Sequence, residues 1–137
     1  MRDTVAEYYE AVHEHDWDKL ASTLADGVVR IGILSDYEDD VCEGKERYLA
    51  FVSRVIGSFE YHTMEINAIF YSADRRRACA ETTETIQPPQ GERMTLHCLK
   101  TIDLDEDGLI VRINQFRKMS PIATPSSISV GNVLAGP

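Results

Sequence analysis

The sequence predicts an α+β fold, with three N-terminal helices packed on a strongly curved antiparallel sheet that encloses a pocket. Apolar residues recur at helical spacing in three segments before residue 57, and the period then changes from 3.6 to 2 for four successive runs. Turn signals separate those runs at Ala73-Asp74, Pro88-Pro89-Gln90-Gly91 and Asp105-Glu106-Asp107-Gly108. Connections this short imply antiparallel neighbours, and helices that precede the strands belong together on one sheet face.

The elements follow in order. Val5, Tyr8, Tyr9 and Val12 form the buried stripe of a first helix, and Thr4 with Glu7 has the spacing of a capping box. Asp16 is placed to cap a second helix whose stripe is Trp17, Leu20, Ala21 and Leu24 and which ends at Asp26-Gly27. Val28 to Ile33 reads as a short strand. The acidic stretch Ser35-Asp36-Tyr37-Glu38-Asp39-Asp40 reads as a loop over the pocket, with Tyr37 as a ligand contact. A third helix runs from about Gly44 to Ile56, burying Tyr48, Leu49, Val52, Val55 and Ile56. The four strands cover roughly 60–72, 76–87, 92–105 and 109–118. Residues 1–118 therefore form one domain. Residues 119–137, rich in Ser, Pro and Gly, form a tail that is either flexible or packed on a partner subunit.

Composition narrows the function. With 137 residues, 43% hydrophobic and 27% charged, the chain holds one core and is not a disordered sequence. A net charge of −9 argues against nucleic acid, whose phosphates need a cationic face. The basic run Arg75-Arg76-Arg77 fits a solvated hairpin turn. No apolar stretch is long enough to span a bilayer, and Met1 to Glu7 carries acids where a signal peptide needs an apolar run. Cys42, Cys79 and Cys98 are odd in number and lack metal-ligand spacing, which fits thiols in a reducing cytoplasm. No metal is expected. Asp103, Asp105, Asp107 and Gly108 mimic half a calcium loop, but Asn114 stands where the bidentate Glu is required. His13 and His15 are two apart and do not share a helix face.

Strand alternation picks out candidate site residues. On the third long strand Met94, Leu96, Cys98, Ile102 and Leu104 share a face with Lys100, whose ammonium needs a partner there. His62 shares a face with Met64, Ile66, Ala68 and Phe70; Glu84 with Ala78, Ala80, Thr82 and Ile86; Gln115 with Val111 and Ile113. One polar group per strand, joined by the Tyr8 hydroxyl, gives five candidate catalytic residues: Tyr8, His62, Glu84, Lys100 and Gln115. Trp17, Tyr37, Met64, Cys98 and Ile113 are candidate ligand contacts. Each of the five also has a structural reading: an edge histidine, a rim ion pair, a snorkelling lysine, a backbone-satisfying glutamine and a core tyrosine.

The element order resembles the NTF2-like superfamily, in particular SnoaL-like and ketosteroid isomerase-like domains. The local text that carries the resemblance includes Tyr8-Tyr9-Glu10-Ala11-Val12, His15-Asp16-Trp17-Asp18-Lys19-Leu20, Leu24-Ala25-Asp26-Gly27-Val28-Val29 and Asp107-Gly108-Leu109-Ile110-Val111. The resemblance implies a cone-shaped fold, a small-molecule pocket and a homodimer formed through the outer sheet face. It places Tyr8 where ketosteroid isomerases hold the oxyanion-stabilising tyrosine. It places Gly32 at their aspartate base, Lys100 at their second acid, and Gln115 at the last-strand aspartate of cyclases and epoxide hydrolases. A plain steroid isomerase is therefore not expected.

The resulting expectation is a cofactor-independent enzyme working by acid/base chemistry on a small hydrophobic, carbonyl-bearing compound of polyketide, terpenoid or steroid type. It would act as isomerase, dehydratase, cyclase or hydrolase, with His62 as base, Glu84 orienting it, and Lys100 and Tyr8 stabilising an oxyanion. A desolvated Lys100 forming an imine or binding a carboxylate is a variant of the same idea. The alternative is a non-catalytic ligand-binding or dimerisation domain.

Overall fold

The computed structural model describes residues 2–33 and 40–118; the acidic loop up to residue 39, with Tyr37, and the 119–137 tail lie outside the described residues. Helix α1 is Thr4–Glu14. Its cap is Asp3, one residue before the expected one, with a carboxylate that accepts from the Ala6 amide at 3.1 Å. Thr4 turns away, and its hydroxyl donates to the Gly108 carbonyl at 2.6 Å, tying the helix start to a strand turn. His15, at φ 58°, ends α1 in the left-handed region. Asp16 then caps α2, Trp17–Ser22, by accepting from the Lys19 amide at 3.0 Å.

Helix α2 is shorter than its apolar spacing suggests. The Thr23 hydroxyl donates back to the Leu20 carbonyl at 2.7 Å, and the chain leaves the helix there. Leu24 is fully buried, but as the first residue of strand β1, Leu24–Ile31, rather than as part of a helical stripe. Asp26-Gly27 falls inside β1, in the irregular stretch between the paired positions Leu24 and Val29. Strand β2, Val41–Glu43, was not expected; three residues are too few to show a period. Helix α3 is Lys45–Ser58, entered through Gly44 at φ 95°, a conformation that side chains disfavour.

The remaining strands are β3, Tyr61–Tyr71; β4, Arg77–Gln87; β5, Met94–Leu104; and β6, Ile110–Arg117. All lie within two residues of the expected ranges. The curved, open sheet has the order β2-β1-β6-β5-β4-β3, antiparallel throughout except where β1 runs parallel to β6. Helices and sheet meet over one core that includes Val5, Tyr9, Leu20, Leu24, Ile102, Ile110 and Ile113.

Two bulges correct the face assignments. In β3 the register shifts between Ile66 and Ala68, so Ile69 and Tyr71 face Ala80 and Ala78 on the inner side, and Phe70 turns outward with 61% exposure. In β5–β6 a shift between Asp103 and Leu104 puts Ile110, fully buried, at the inner position expected for Val111. The expected hairpin at Arg75 stands: Asp74 accepts from the Arg76 amide and the Ser72 hydroxyl. At the calcium-like turn the Asp105 carboxylate accepts from the amides of Asp107 and Leu109, both at 2.9 Å.

Candidate functional site

A cavity of about 250 Å³ lies between α1, α3 and the inner faces of β1, β4, β5 and β6. Val12, Val52, Val55, Ile56 and Leu96 supply much of its apolar wall, and four of the five candidate catalytic residues line it: Tyr8, Glu84, Lys100 and Gln115. Arg30, Asp40, Tyr48 and Phe51 line it as well.

The central polar contact is the Lys100–Glu84 ion pair, Nζ to Oε1 at 3.0 Å, with side chains only 7% and 13% exposed. In the β4–β5 register Lys100 faces Ala80 and Glu84 faces Leu96, so the two residues start four positions apart, roughly 13 Å along the strand. They meet because each side chain extends toward the other along the inner face, over the small residues Ala80, Thr82 and Cys98. Burial alone would raise the Glu84 pKa, but the charge and hydrogen bond of Lys100, with His62 and Arg30, outweigh it and hold the carboxyl below its usual range. Burial likewise works against the Lys100 ammonium, and the Glu84 charge reverses the balance, so Lys100 is held above its usual value. Its ammonium also sits 5.3 Å from the centre of the Tyr9 ring. A lysine held protonated is a poor nucleophile, which counts against the imine route.

The second contact joins two hydroxyls. Tyr8 and Tyr48 are 2.7 Å apart, oxygen to oxygen, and both are buried. Burial is the main cause that raises both phenols above their ordinary pKa, so both are neutral. One proton fills the bond between them, and the other remains to be donated. Tyr9, pushed up to about 12 chiefly by burial, is neutral too.

The third contact is at the mouth. Arg30 Nη1 donates to Asp40 Oδ1 at 2.6 Å, and its Nη2 lies 3.5 Å from Gln115 Oε1. The Asp40 carboxylate occupies the space in which a Cβ on Gly32 would stand. An acid from β2's approach thus fills the place that Gly32 leaves open. The Gln115 amide donates onward to Cys98 Sγ at 3.4 Å.

His62 is placed apart from this group. It is not among the cavity's lining residues; its Nδ1 lies 3.3 Å from His15 Nε2, and Phe59 stacks near it. Its Nε2 is buried without a hydrogen-bond partner among the described residues. Burial lowers its pKa, against the opposing pull of Glu84. Glu84 binds Lys100 and does not orient His62. Met64 and Ile113 belong to the packed core, Trp17 stacks on His15 at 5.5 Å, and Cys98 is buried beside Gln115; none of these lines the cavity. Among the described residues no cluster of three or more metal-ligating side chains exists. Nor is any helix among them long and apolar enough to cross a membrane.

The sequence reasoning missed Arg30, Asp40, Tyr48 and Phe51 as site residues. Tyr48 already stood on the buried stripe of α3, and its hydroxyl was the overlooked signal.

A family model for the SnoaL-like domain matches residues 5–113. The chain belongs to the SnoaL-like domain family. Solved structures support the NTF2-like fold of this SnoaL-like chain. An NTF2-like protein of unknown function from Burkholderia pseudomallei is 21% identical, with a TM-score of 0.73 over 84% of this chain and 88% of that one. The Mycobacterium tuberculosis protein Rv0760c, in complex with estradiol-17β-hemisuccinate, is 20% identical, with a TM-score of 0.72 over 87% and 92%. An epoxide hydrolase of the same organism is 18% identical, with a TM-score of 0.68 over 84% and 80%. At these identities the likeness shows the fold alone. No curated protein matches the sequence.

Proposed function

We propose that this SnoaL-like chain binds a small hydrophobic, carbonyl-bearing compound in its cone and transforms it by cofactor-independent acid/base chemistry. The observation that carries this reading is the pairing of an ionised, buried Glu84 with a neutral Tyr8–Tyr48 hydroxyl pair on the walls of one cavity. The free phenol proton donates to the carbonyl oxygen and stabilises the oxyanion as it forms, in a site where burial strengthens that bond. Glu84 takes the proton from the neighbouring carbon, and the positive charge of Lys100 stabilises the anionic product. Gln115 and Arg30 bound the mouth. In this reading the base is Glu84, because it lines the cavity and His62 is not among the lining residues.

Isomerisation, β-elimination of water and aldol-type cyclisation all begin from this step, whereas hydrolysis needs an activated water instead. The epoxide hydrolase among the structural neighbours and the steroid ester bound by another are consistent with small apolar ligands. A homodimer through the outer sheet face, where Phe70 and Phe116 are 61% and 52% exposed, and a cytoplasmic location complete the proposal. One test is hydrogen–deuterium exchange at the α-carbon of 2-tetralone in D2O, followed by NMR. Exchange catalysed by the wild type and lost in Glu84→Gln supports the reading; equal exchange in both refutes it.

A second reading, ligand binding without turnover, draws on a specific observation. Tyr8, Lys100 and Arg30 are already paired with Tyr48, Glu84 and Asp40. That reading predicts saturable 2-tetralone binding with no exchange.

A further inference from the structure

Phe51 divides two hollows. Its ring lines the cavity described above and also a second one of about 360 Å³, whose other walls are Cys42, Arg47, Ala50 and Arg54. Arg47, Ala50, Phe51 and Arg54 are spaced i, i+3, i+4, i+7 on α3, so they form one stripe down a single helix face. The two arginines leave the helix two turns apart, roughly 10 Å along the axis, with Phe51 between them on the stripe. Both arginines are exposed, and neither has an ion pair among the described residues.

The charge arrangement is unusual for this chain. Arg30, 4.9 Å from the centre of the Phe51 ring, is held by Asp40 at 2.6 Å, whereas Arg47 and Arg54 have no ion pair among the described residues. On a molecule of net charge −9 they place two cations on the helix face that carries Phe51, next to the cavity it lines. The Cys42 thiol senses them: burial raises its pKa first, Arg30, Arg47 and Arg54 pull it back, and the Asp40 carboxylate adds to the rise. Glu43, the nearest acid on β2, alternates to the opposite side of the strand from Cys42.

We propose that Arg47 and Arg54 form an oxyanion-binding subsite for a carboxylate or phosphate tail on the ligand whose apolar, carbonyl-bearing end enters the cavity past Phe51. The subsite rests on the proposed function for the identity of that end, but the anion contact itself does not. A forked guanidinium binds either tail by paired hydrogen bonds, and α3 presents two of them at the rim. The substrate class narrows accordingly to an amphiphile, with an apolar carbonyl-bearing body and an anionic terminus.

Two titrations on the full chain test this. In the first, inorganic pyrophosphate is added while arginine Nε–H signals are followed by NMR. Saturable, salt-sensitive shifts at Arg47 and Arg54 are expected; absence of shifts there overturns the subsite. In the second, 2-acetylnaphthalene is compared with its carboxylate-tailed analogue 4-(naphthalen-2-yl)-4-oxobutanoate. The wild type should bind the tailed ketone about fivefold more tightly, a modest factor because the arginines are exposed. The double variant Arg47→Gln/Arg54→Gln should lose that preference, and the charge-matched control Arg75→Gln/Arg93→Gln should keep it. A preference that survives Arg47→Gln/Arg54→Gln overturns the proposal. Pyrophosphate shifts without ketone binding would leave the subsite standing and count against the cavity's role; ketone binding with neither shifts nor preference would do the reverse.

Discussion

At the scale of single residues, the Lys100–Glu84 pair sets the character of the interior. Two buried charges stabilise one another only while both are present. Lys100→Met therefore strands a buried carboxylate and should cost about 3–5 kcal/mol in urea unfolding, whereas Lys100→Met/Glu84→Leu should recover much of that loss. Tyr8→Phe leaves the buried Tyr48 hydroxyl without its partner and should cost about 1–3 kcal/mol. Catalysis by Glu84, held ionised by Lys100, also predicts a rate that stays flat through neutral pH and falls only below the ordinary glutamate range of about 4.3. An inflection above the glutamate range, just below the ordinary histidine value of about 6.5, would return the role of base to His62. Lys100, Glu84, Gln115 and Tyr8 were legible as pocket residues because strand and helix periods assign faces without knowledge of the fold. Arg30 and Asp40 were not, since their meeting depends on the β1–β2 pairing and no local pattern encodes that.

At the scale of elements, turns and periods were read well and interruptions poorly. The ends of β3 to β6 were found to within two residues because Gly, Pro and Asp mark them. The bulges in β3 and between β5 and β6 leave no mark in a pattern of period 2, so Phe70 and Val111 were assigned to the wrong face. Leu24 misled for a related reason: a buried strand residue stood at a helical spacing, and its pairing with Ile110 across β1 and β6 is a tertiary choice. Gly44 and Gly32 make a contrasting pair of tests. A Cβ on Gly44 has open space, its nearest neighbour being the Asp26 carbonyl at 4.0 Å, so the cost of Gly44→Ala comes from the φ of 95° alone, about 1 kcal/mol. A Cβ on Gly32 meets the Asp40 carboxylate, which Arg30 holds in place. Gly32→Ala should therefore disturb the mouth and weaken ketone binding, while Gly44→Ala should lower stability and leave binding unchanged; paired urea melts and titrations separate the two.

At the scale of the whole molecule, the cone is a container with apolar stretches of wall and a few buried polar groups, several of them paired. Among the described residues Tyr9 Oη, Thr82 Oγ1 and His62 Nε2 are buried without a hydrogen-bond partner, and His62 is held neutral by burial. Its folded pKa lies below the unfolded value of about 6.5, so the unfolded chain takes up a proton that the folded site refuses. Stability should be undiminished above about pH 6.5 and should decline as pH falls toward the folded pKa. His62→Asn should flatten that decline in urea midpoints measured between about pH 8 and pH 5. Glu84 adds a loss of the same sign in a more acidic window, because its folded pKa is also lowered. The central claim, that the cavity receives a carbonyl against the Tyr8–Tyr48 pair, is tested most directly by the infrared C=O stretch of bound 2-tetralone. The frequency should fall relative to the free ketone and return toward it in Tyr8→Phe; an unshifted band, or a shift that Tyr8→Phe leaves intact, would contradict the account.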